Sequence, residues 1–159
     1  MKLTEAKLKQ MILEMMSQSE DYYNKLKTLM TTEEGFLQAD SLFDMVKDQL
    51  DDKHRTSITN LLKPLYLGRE MREVALADLE ARRRLREIEK SLDDPEQASQ
   101  YQLGEYEKVS EIAKSASHAH RSANHRLNNH LSTMLRAGVE NEIFQVAKII
   151  AKKAGRGQL

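Results

Sequence analysis

From Met71 to Leu92 the chain steps through Met71, Val74, Asp78, Ala81, Leu85, Ile88 and Leu92 at alternating intervals of three and four residues. A strand turns its side chains over at every residue and gains nothing from such spacing. A helix with about 3.6 residues per turn brings all of these positions onto one face. The pattern predicts a helix over Arg69–Leu92, about 36 Å long at ~1.5 Å per residue. Its apolar line is narrow, of the coiled-coil kind, with Asp78 as the one acidic intruder. A seam of this type needs a second helix to cover it.

Leu103–Arg136 reads as a second long helix. Its apolar line runs through Val109, Ala113, Ala116, His120, Ala123, Leu127, Leu131 and Met134. The small residues around His120 admit close approach of another helix and leave room for an imidazole. His120 is therefore expected to be buried or half-buried, hydrogen-bonded to a partner carboxylate. With Met71, Val74, Ala81, Leu85 and Ile88, the residues Ala116, His120, Ala123 and Leu127 form the expected helix seam.

This stretch holds four of the chain's five histidines: His118, His120, His125 and His130. At 100° per residue, His118 and His125 leave the apolar line and share a second face with Arg121, Asn128, Asn129, Ser132 and Arg136. That stripe is rich in donors and poor in acids. The expected interaction residues are His118, Arg121, His125, Asn129, Ser132 and Arg136. Such a stripe suits phosphate or nucleic acid, with Arg as fork donor, and equally a solvated face or a polar subunit contact.

A metal pair on one helix needs histidines four apart, or a carboxylate three residues before a histidine. The histidine steps here are two, five and five, and no Glu-x-x-His occurs. Asp51-x-x-His54 occurs alone, beside a turn. No metal site is expected from the helix by itself; a metalloprotein with ligands from several helices is the third functional reading.

Other chemistry finds no footing. The chain has no Cys, which removes disulfides, thiolate metal sites and Cys nucleophiles. It has no Gly-x-Ser-x-Gly elbow, no Gly-x-Gly-x-x-Gly and no Walker A loop, and its six glycines are isolated. We expect a non-enzyme with no cofactor. No apolar run approaches the ~18 residues of a membrane span, and the N-terminal region lacks the uninterrupted apolar stretch of a secretory signal. A cytoplasmic protein with no membrane partner is expected.

The remaining segments also read as helices. Only two Pro, 5% aromatic and 31% charged residues in 159 favour an all-α protein built on Leu, Ile, Ala and Met. Thr4–Met30 is an amphipathic helix with Thr4 as N-cap, Leu3 as a staple against Leu8, and a possible bend at Ser17–Ser19. Its Leu8, Met11, Ile12, Met15 and Met16 suit docking to a partner. Thr31–Gly35 is a break, followed by a helix from Phe36 or Asp40 to Leu50. Asp51–His54 reads as a polar connector. A short helix over Thr56–Leu67 is kinked by Pro64 and ends at a joint, Gly68. Asp94 caps and Pro95 opens the helix that runs, with a pause at Gly104, into Leu103–Arg136. Ala137–Gly138 breaks the chain again, and Val139–Lys153 forms the last helix. Its wide apolar face comprises Val139, Ile143, Phe144, Val146, Ala147, Ile149 and Ile150. The residues from 154 to 159 read as a loose basic tail.

Net charge is zero but unevenly laid out. Thr31–Asp52 carries seven acids against Lys47, and Asp93–Glu111 six against Lys108; Ala113–Leu159 carries eight bases against Glu140 and Glu142. The basic third expects an acidic partner, either nucleic acid or the chain's own acidic segments in the same or a neighbouring subunit.

Met1–Glu14, Met-Lys-Leu-Thr-Glu-Ala-Lys-Leu-Lys-Gln-Met-Ile-Leu-Glu, resembles the short amphipathic leaders of marine tailed-phage proteins. Ile12-Leu13-Glu14 is similar to the Leu/Ile-x-Glu pattern cut by the prohead protease of large contractile-tailed phages. In that family such leaders direct proteins into the assembling capsid. The resemblance implies a virion or phage-assembly component.

Together these features predict an all-α, elongated helical bundle with long coiled-coil-like helices, a single domain over 1–159 whose 1–30 helix extends from the core. The expected role is a non-enzymatic structural or protein-interaction subunit, partnered with itself as a homo-oligomer or with other subunits. The alternative is a nucleic-acid or nucleoprotein binder using the basic C-terminal third.

Overall fold

The longest helix begins where the sequence suggests a connector. Asp51 accepts the backbone N–H of His54 at 2.8 Å, which caps a helix that runs without interruption from Asp52 to Ser91. The computed structural model describes residues 5–92 and 98–159. Among the described residues all regular structure is helical: α1 (Glu5–Leu29), α2 (Glu33–Val46), α3 (Asp52–Ser91), α4 (Gln100–Arg136) and α5 (Asn141–Gly155), with one turn of 3₁₀ helix at Lys47–Gln49. The fold class is all-α.

α3 corrects the expectation of two helices divided at Gly68. Pro64 sits inside the helix, fully buried. It has no N–H to offer the carbonyl four residues earlier, Asn60. That carbonyl is met instead by His130 of α4, whose Nε2 lies 2.8 Å away. A carbonyl only accepts, so Nε2 carries the proton. The helix continues because tertiary structure replaces the bond that proline removes. Gly68 is no joint either. A Cβ built there would stand 2.6 Å from the Ala151 carbonyl and 2.9 Å from the Ala154 Cβ. The glycine lets α5 cross close to α3.

Other boundaries shift by local chemistry. Thr32 accepts the Gly35 N–H and caps α2, so the helix starts at Glu33, inside the expected break. α2 ends at Val46 and hands over to the 3₁₀ turn, after which Leu50 is buried. Ser17–Ser19 makes no interruption in α1. Thr4, Leu3, Asp94 and Pro95 lie outside the described residues. α4 opens on a capping box, in which Ser99 accepts the Gln102 N–H while the Gln102 side chain accepts the Ser99 N–H. It passes Gly104 without a pause. At the other end, Gly138 takes φ 73° in the predicted break. α5 starts at Asn141, so Val139 lies in the turn, and Ile149 is exposed rather than on the buried face. The tail expected from Ala154 begins later. Ala154 is buried, α5 runs to Gly155, and Gly157 and Gln158 donate back to the Ala154 and Lys153 carbonyls.

Most of the core is one large cluster. It joins Leu26 and Met30 of the α1 end, Phe36, Ala39 and Phe43 of α2, Ile58, Leu61, Leu62 and Leu65 of α3, Met134 of α4, and Ile143, Phe144, Val146, Ala147, Ile150 and Ala154 of α5. A second, smaller cluster places Leu67, Leu127 and Ala151 together, with Met71 and Leu131 against them. On α3 these clusters end at Met71, and on α4 at Leu127. α3 extends about 30 Å past Met71 at ~1.5 Å per residue, with α4 antiparallel beside it.

Candidate interaction site

The α3–α4 arm carries the predicted seam. Ala81 and Ala123 are buried, and Val74, Leu85, Ile88, Ala116 and His120 are half-buried. Met71 and Leu127 reach the second core cluster. The acidic intruder is the centre of the arm. Asp78 keeps only 8% of its side-chain surface exposed. Arg82 Nε donates to its Oδ1 at 2.8 Å, and the Ser117 hydroxyl donates to the same oxygen at 2.7 Å. His120 Nδ1 lies 3.4 Å from Oδ2, and Arg82 also donates to Ser117 Oγ at 3.0 Å. His120 thus has the carboxylate neighbour expected of it. The Arg82 guanidinium, then the Ser117 hydroxyl and His120, hold the Asp78 carboxyl down at about 2, against the opposing effect of burial. Sequence reasoning finds Asp78 and His120 but misses Arg82, one turn on from Asp78, and Ser117, one turn before His120.

The polar stripe of α4 is laid out as predicted by angle. His118, Arg121, His125, Asn129, Ser132 and Arg136 are all exposed. Among the described residues Arg121 bonds to the Ser117 carbonyl of its own helix, at 3.4 Å. Arg121 and Arg136 form no ion pair among the described residues. Elsewhere the basic third does meet the chain's own acids. Lys153 pairs with Glu33 of α2, and Arg126 with Glu70 of α3.

The histidines do not converge. His130 serves Asn60, His120 serves Asp78, and His118 and His125 face outward. Among the described residues no three His, Asp or Glu side chains come together to hold a metal ion. His54 stacks on Tyr23 with ring centroids 4.4 Å apart. Ser19 Oγ and Asp51 Oδ2 lie on its Nδ1 at 2.9 and 3.0 Å. Both partners meet the same ring nitrogen, so this is not a relay from serine through imidazole to carboxylate. Ser19 also accepts the Asp51 N–H at 2.9 Å, which ties α1 to the start of α3. The hydroxyl of Tyr66 donates to Asp40, whose carboxylate also faces Arg69 at 3.7 Å. Burial and then that carboxylate push the Tyr66 phenol up.

Large apolar side chains stand exposed on every helix, among them Met45 of α2, Leu135 of α4 and Ile149 of α5. α1 shows Met11, Ile12, Leu13 and Met15; α3 shows Leu76 and Leu79; α4 shows Tyr101, Leu103 and Ile112. Leu76 and Leu79 are one turn apart and share a face of the arm. Among the described residues, no helix is long and apolar enough to cross a membrane. No protein-family model, curated protein or solved structure significantly matches the chain. What the chain does must follow from these surfaces.

Proposed function

We propose that the chain is a non-enzymatic protein-interaction subunit that works as part of an oligomer, with α3 and α4 as a two-stranded antiparallel coiled-coil arm. One observation carries this reading. The arm leaves both core clusters behind at Met71 and Leu127, yet it keeps Leu76, Leu79 and Ile112 at 50%, 60% and 54% exposure. Exposed apolar side chains on an element that extends past the core are what a protein contact covers. The buried Asp78 suits a recognition element too, because a single polar group in an apolar seam fixes which residues of two helices face each other. The leader-like Met1–Glu14 supports a tailed-phage virion or assembly component as the setting, with Ile12 and Leu13 of the Leu/Ile-x-Glu pattern exposed on α1.

The test is native mass spectrometry of the purified protein, with co-purifying material identified. A homo-oligomer or a stoichiometric protein partner, lost on Leu79→Lys or Ile112→Lys, supports the reading. A monomer without any protein partner overturns it.

A second reading, binding of nucleic acid, is favoured by one feature: the exposed α4 stripe with Arg121 and Arg136 outside any ion pair among the described residues. It requires salt-dependent binding of DNA or RNA that weakens on neutralising Arg121, Arg126 and Arg136. No binding at low salt removes it.

A further inference from the structure

α3 carries a second line at heptad spacing, on the side turned away from α4. Leu76, Leu79, Arg83, Arg86 and Lys90 follow one another at alternating steps of three and four, opposite Asp78 and Leu85. All five are exposed, Leu76 at 50% and Leu79 at 60%. The free line is about 21 Å long at ~1.5 Å per residue. Toward the core it continues through Arg72 and Arg69, which belong to the body of the protein. Arg69 faces Asp40 at 3.7 Å, and Arg72 lies so close to Gly157 that a Cβ there would strike its guanidinium.

The charge of the free line is one-sided: two leucines, three bases and no acid. Arg83 is turned to its own helix, with Glu87 at 3.1 Å and Glu80 at 3.9 Å. Arg86 and Lys90 form no ion pair among the described residues. Acids stand beside the line. Glu73, Glu80 and Glu87 run along one flank at steps of seven, with Arg84 beyond them. Glu89 and Arg82 lie on the other flank, and Arg82 is held by Asp78.

A helix that covers this face needs apolar residues over Leu76 and Leu79, carboxylates over Arg86 and Lys90, and a base on its flank for the glutamate row. A second copy of the face does not supply them. Laid parallel, each base meets its own copy; laid antiparallel about the leucines, Arg83 meets Arg72 and Arg86 meets Arg69. Nucleic acid fits no better, because the leucines offer a phosphate nothing and the glutamate row repels it.

We propose that the outer face of α3 from Leu76 to Lys90 docks an acidic amphipathic helix of a different protein. The proposal rests on the interaction-subunit reading and names the chemistry of the partner. About four turns of helix bury less than a standard interface, so a dissociation constant of about 10–100 µM is expected.

Two labelled helical peptides serve as probes of the full chain in fluorescence anisotropy. One presents two leucines and then two glutamates at steps of three and four; the other carries lysines in place of the glutamates. The glutamate peptide should bind and the lysine peptide should not. Leu79→Lys should weaken binding about tenfold. Arg86→Glu and Lys90→Glu should each weaken it about threefold, and the double variant should lose the glutamate peptide and take up the lysine one. The helical circular-dichroism signal should hold in every variant, since these exposed side chains support no neighbouring helix.

Equal binding of the two peptides, or of neither up to about 1 mM, overturns the acidic partner, and the interaction reading then stands or falls on the native mass. Self-association that is lost on Leu79→Lys but indifferent to Arg86→Glu with Lys90→Glu gives the face to a second copy; it overturns the acidic partner and leaves the interaction reading standing. Binding of duplex DNA that is lost with the two bases but indifferent to Leu79→Lys assigns the line to phosphate and overturns the proposal.

Discussion

His130 Nε2 stands 2.8 Å from the Asn60 carbonyl, the acceptor that Pro64 leaves without its helical donor. One histidine of the four on α4 therefore acts structurally, closing a gap in the hydrogen bonding of the neighbouring helix. His130→Ala should cost about 1 kcal/mol, the worth of one hydrogen bond at a half-buried site. Pro64→Ala restores a backbone N–H to Asn60, so in that background His130→Ala should cost only a few tenths. Urea unfolding of the wild type, both single variants and the double variant measures the coupling. Equal costs in the two backgrounds would separate the histidine from the proline.

Asp78 makes acid stability of the arm depend on one carboxylate. In the folded chain it titrates at about 2, below its ordinary 3.8, because Arg82, Ser117 and His120 favour the charged form. A carboxyl with a depressed folded pKa binds its proton more readily when unfolded. Its stabilising contribution is full above about pH 4 and is lost as pH falls through about 2. Asp78→Asn keeps the shape and removes the titration. The wild type should lose thermal stability more steeply than this variant between pH 4 and 2, and the difference in Tm should shrink at the acid end. Parallel Tm curves would mean that Asp78 titrates alike in both states.

What is legible in the sequence follows from which interactions are local. The α3 seam and the two faces of α4 are readable because helical periodicity alone sorts side chains by angle, and burial follows that angle at Ala81, Ala123 and Leu127. The carboxylate beside His120 is readable too, since an imidazole on an apolar line needs a polar neighbour. The breaks expected at Pro64 and Gly68 do not form because the outcome there depends on another helix. His130 supplies the missing donor, and Ala151 needs the missing Cβ. Ser19 looks like a weakness in α1, yet its value lies with Asp51 and His54, more than thirty residues away. No local pattern carries that information.

The two helical glycines of α3 and α4 should respond with opposite signs. A Cβ at Gly68 meets the Ala151 carbonyl at 2.6 Å, so Gly68→Ala must push α5 away and should cost about 1–3 kcal/mol. At Gly104 a Cβ meets nothing within 4 Å, and the backbone is already helical. Gly104→Ala should therefore stabilise the protein by about 0.5–1 kcal/mol, through the helix propensity of alanine and the lower entropy of its unfolded state. Chemical denaturation of the two variants side by side decides it. Stabilisation by both would show that α3 and α5 do not approach closely at Gly68.

Ser19 and Ile12 occupy the same stripe of α1 but should differ in what they hold. Ser19 is 2% exposed, and its hydroxyl oxygen accepts the Asp51 N–H and lies on His54. Ser19→Ala strips the α3 N-terminus of that acceptor and should cost about 1–2 kcal/mol, the penalty for a buried donor left unmade. Hydrogen exchange should rise at Asp51 and in the α1 turns around Tyr23, while the exposed first half of α1 exchanges as before. Ile12→Asp, on uncovered surface, should leave the monomer's unfolding free energy within about 0.5 kcal/mol of wild type. A loss larger than that for Ile12→Asp would mean the first half of α1 is seated within its own subunit.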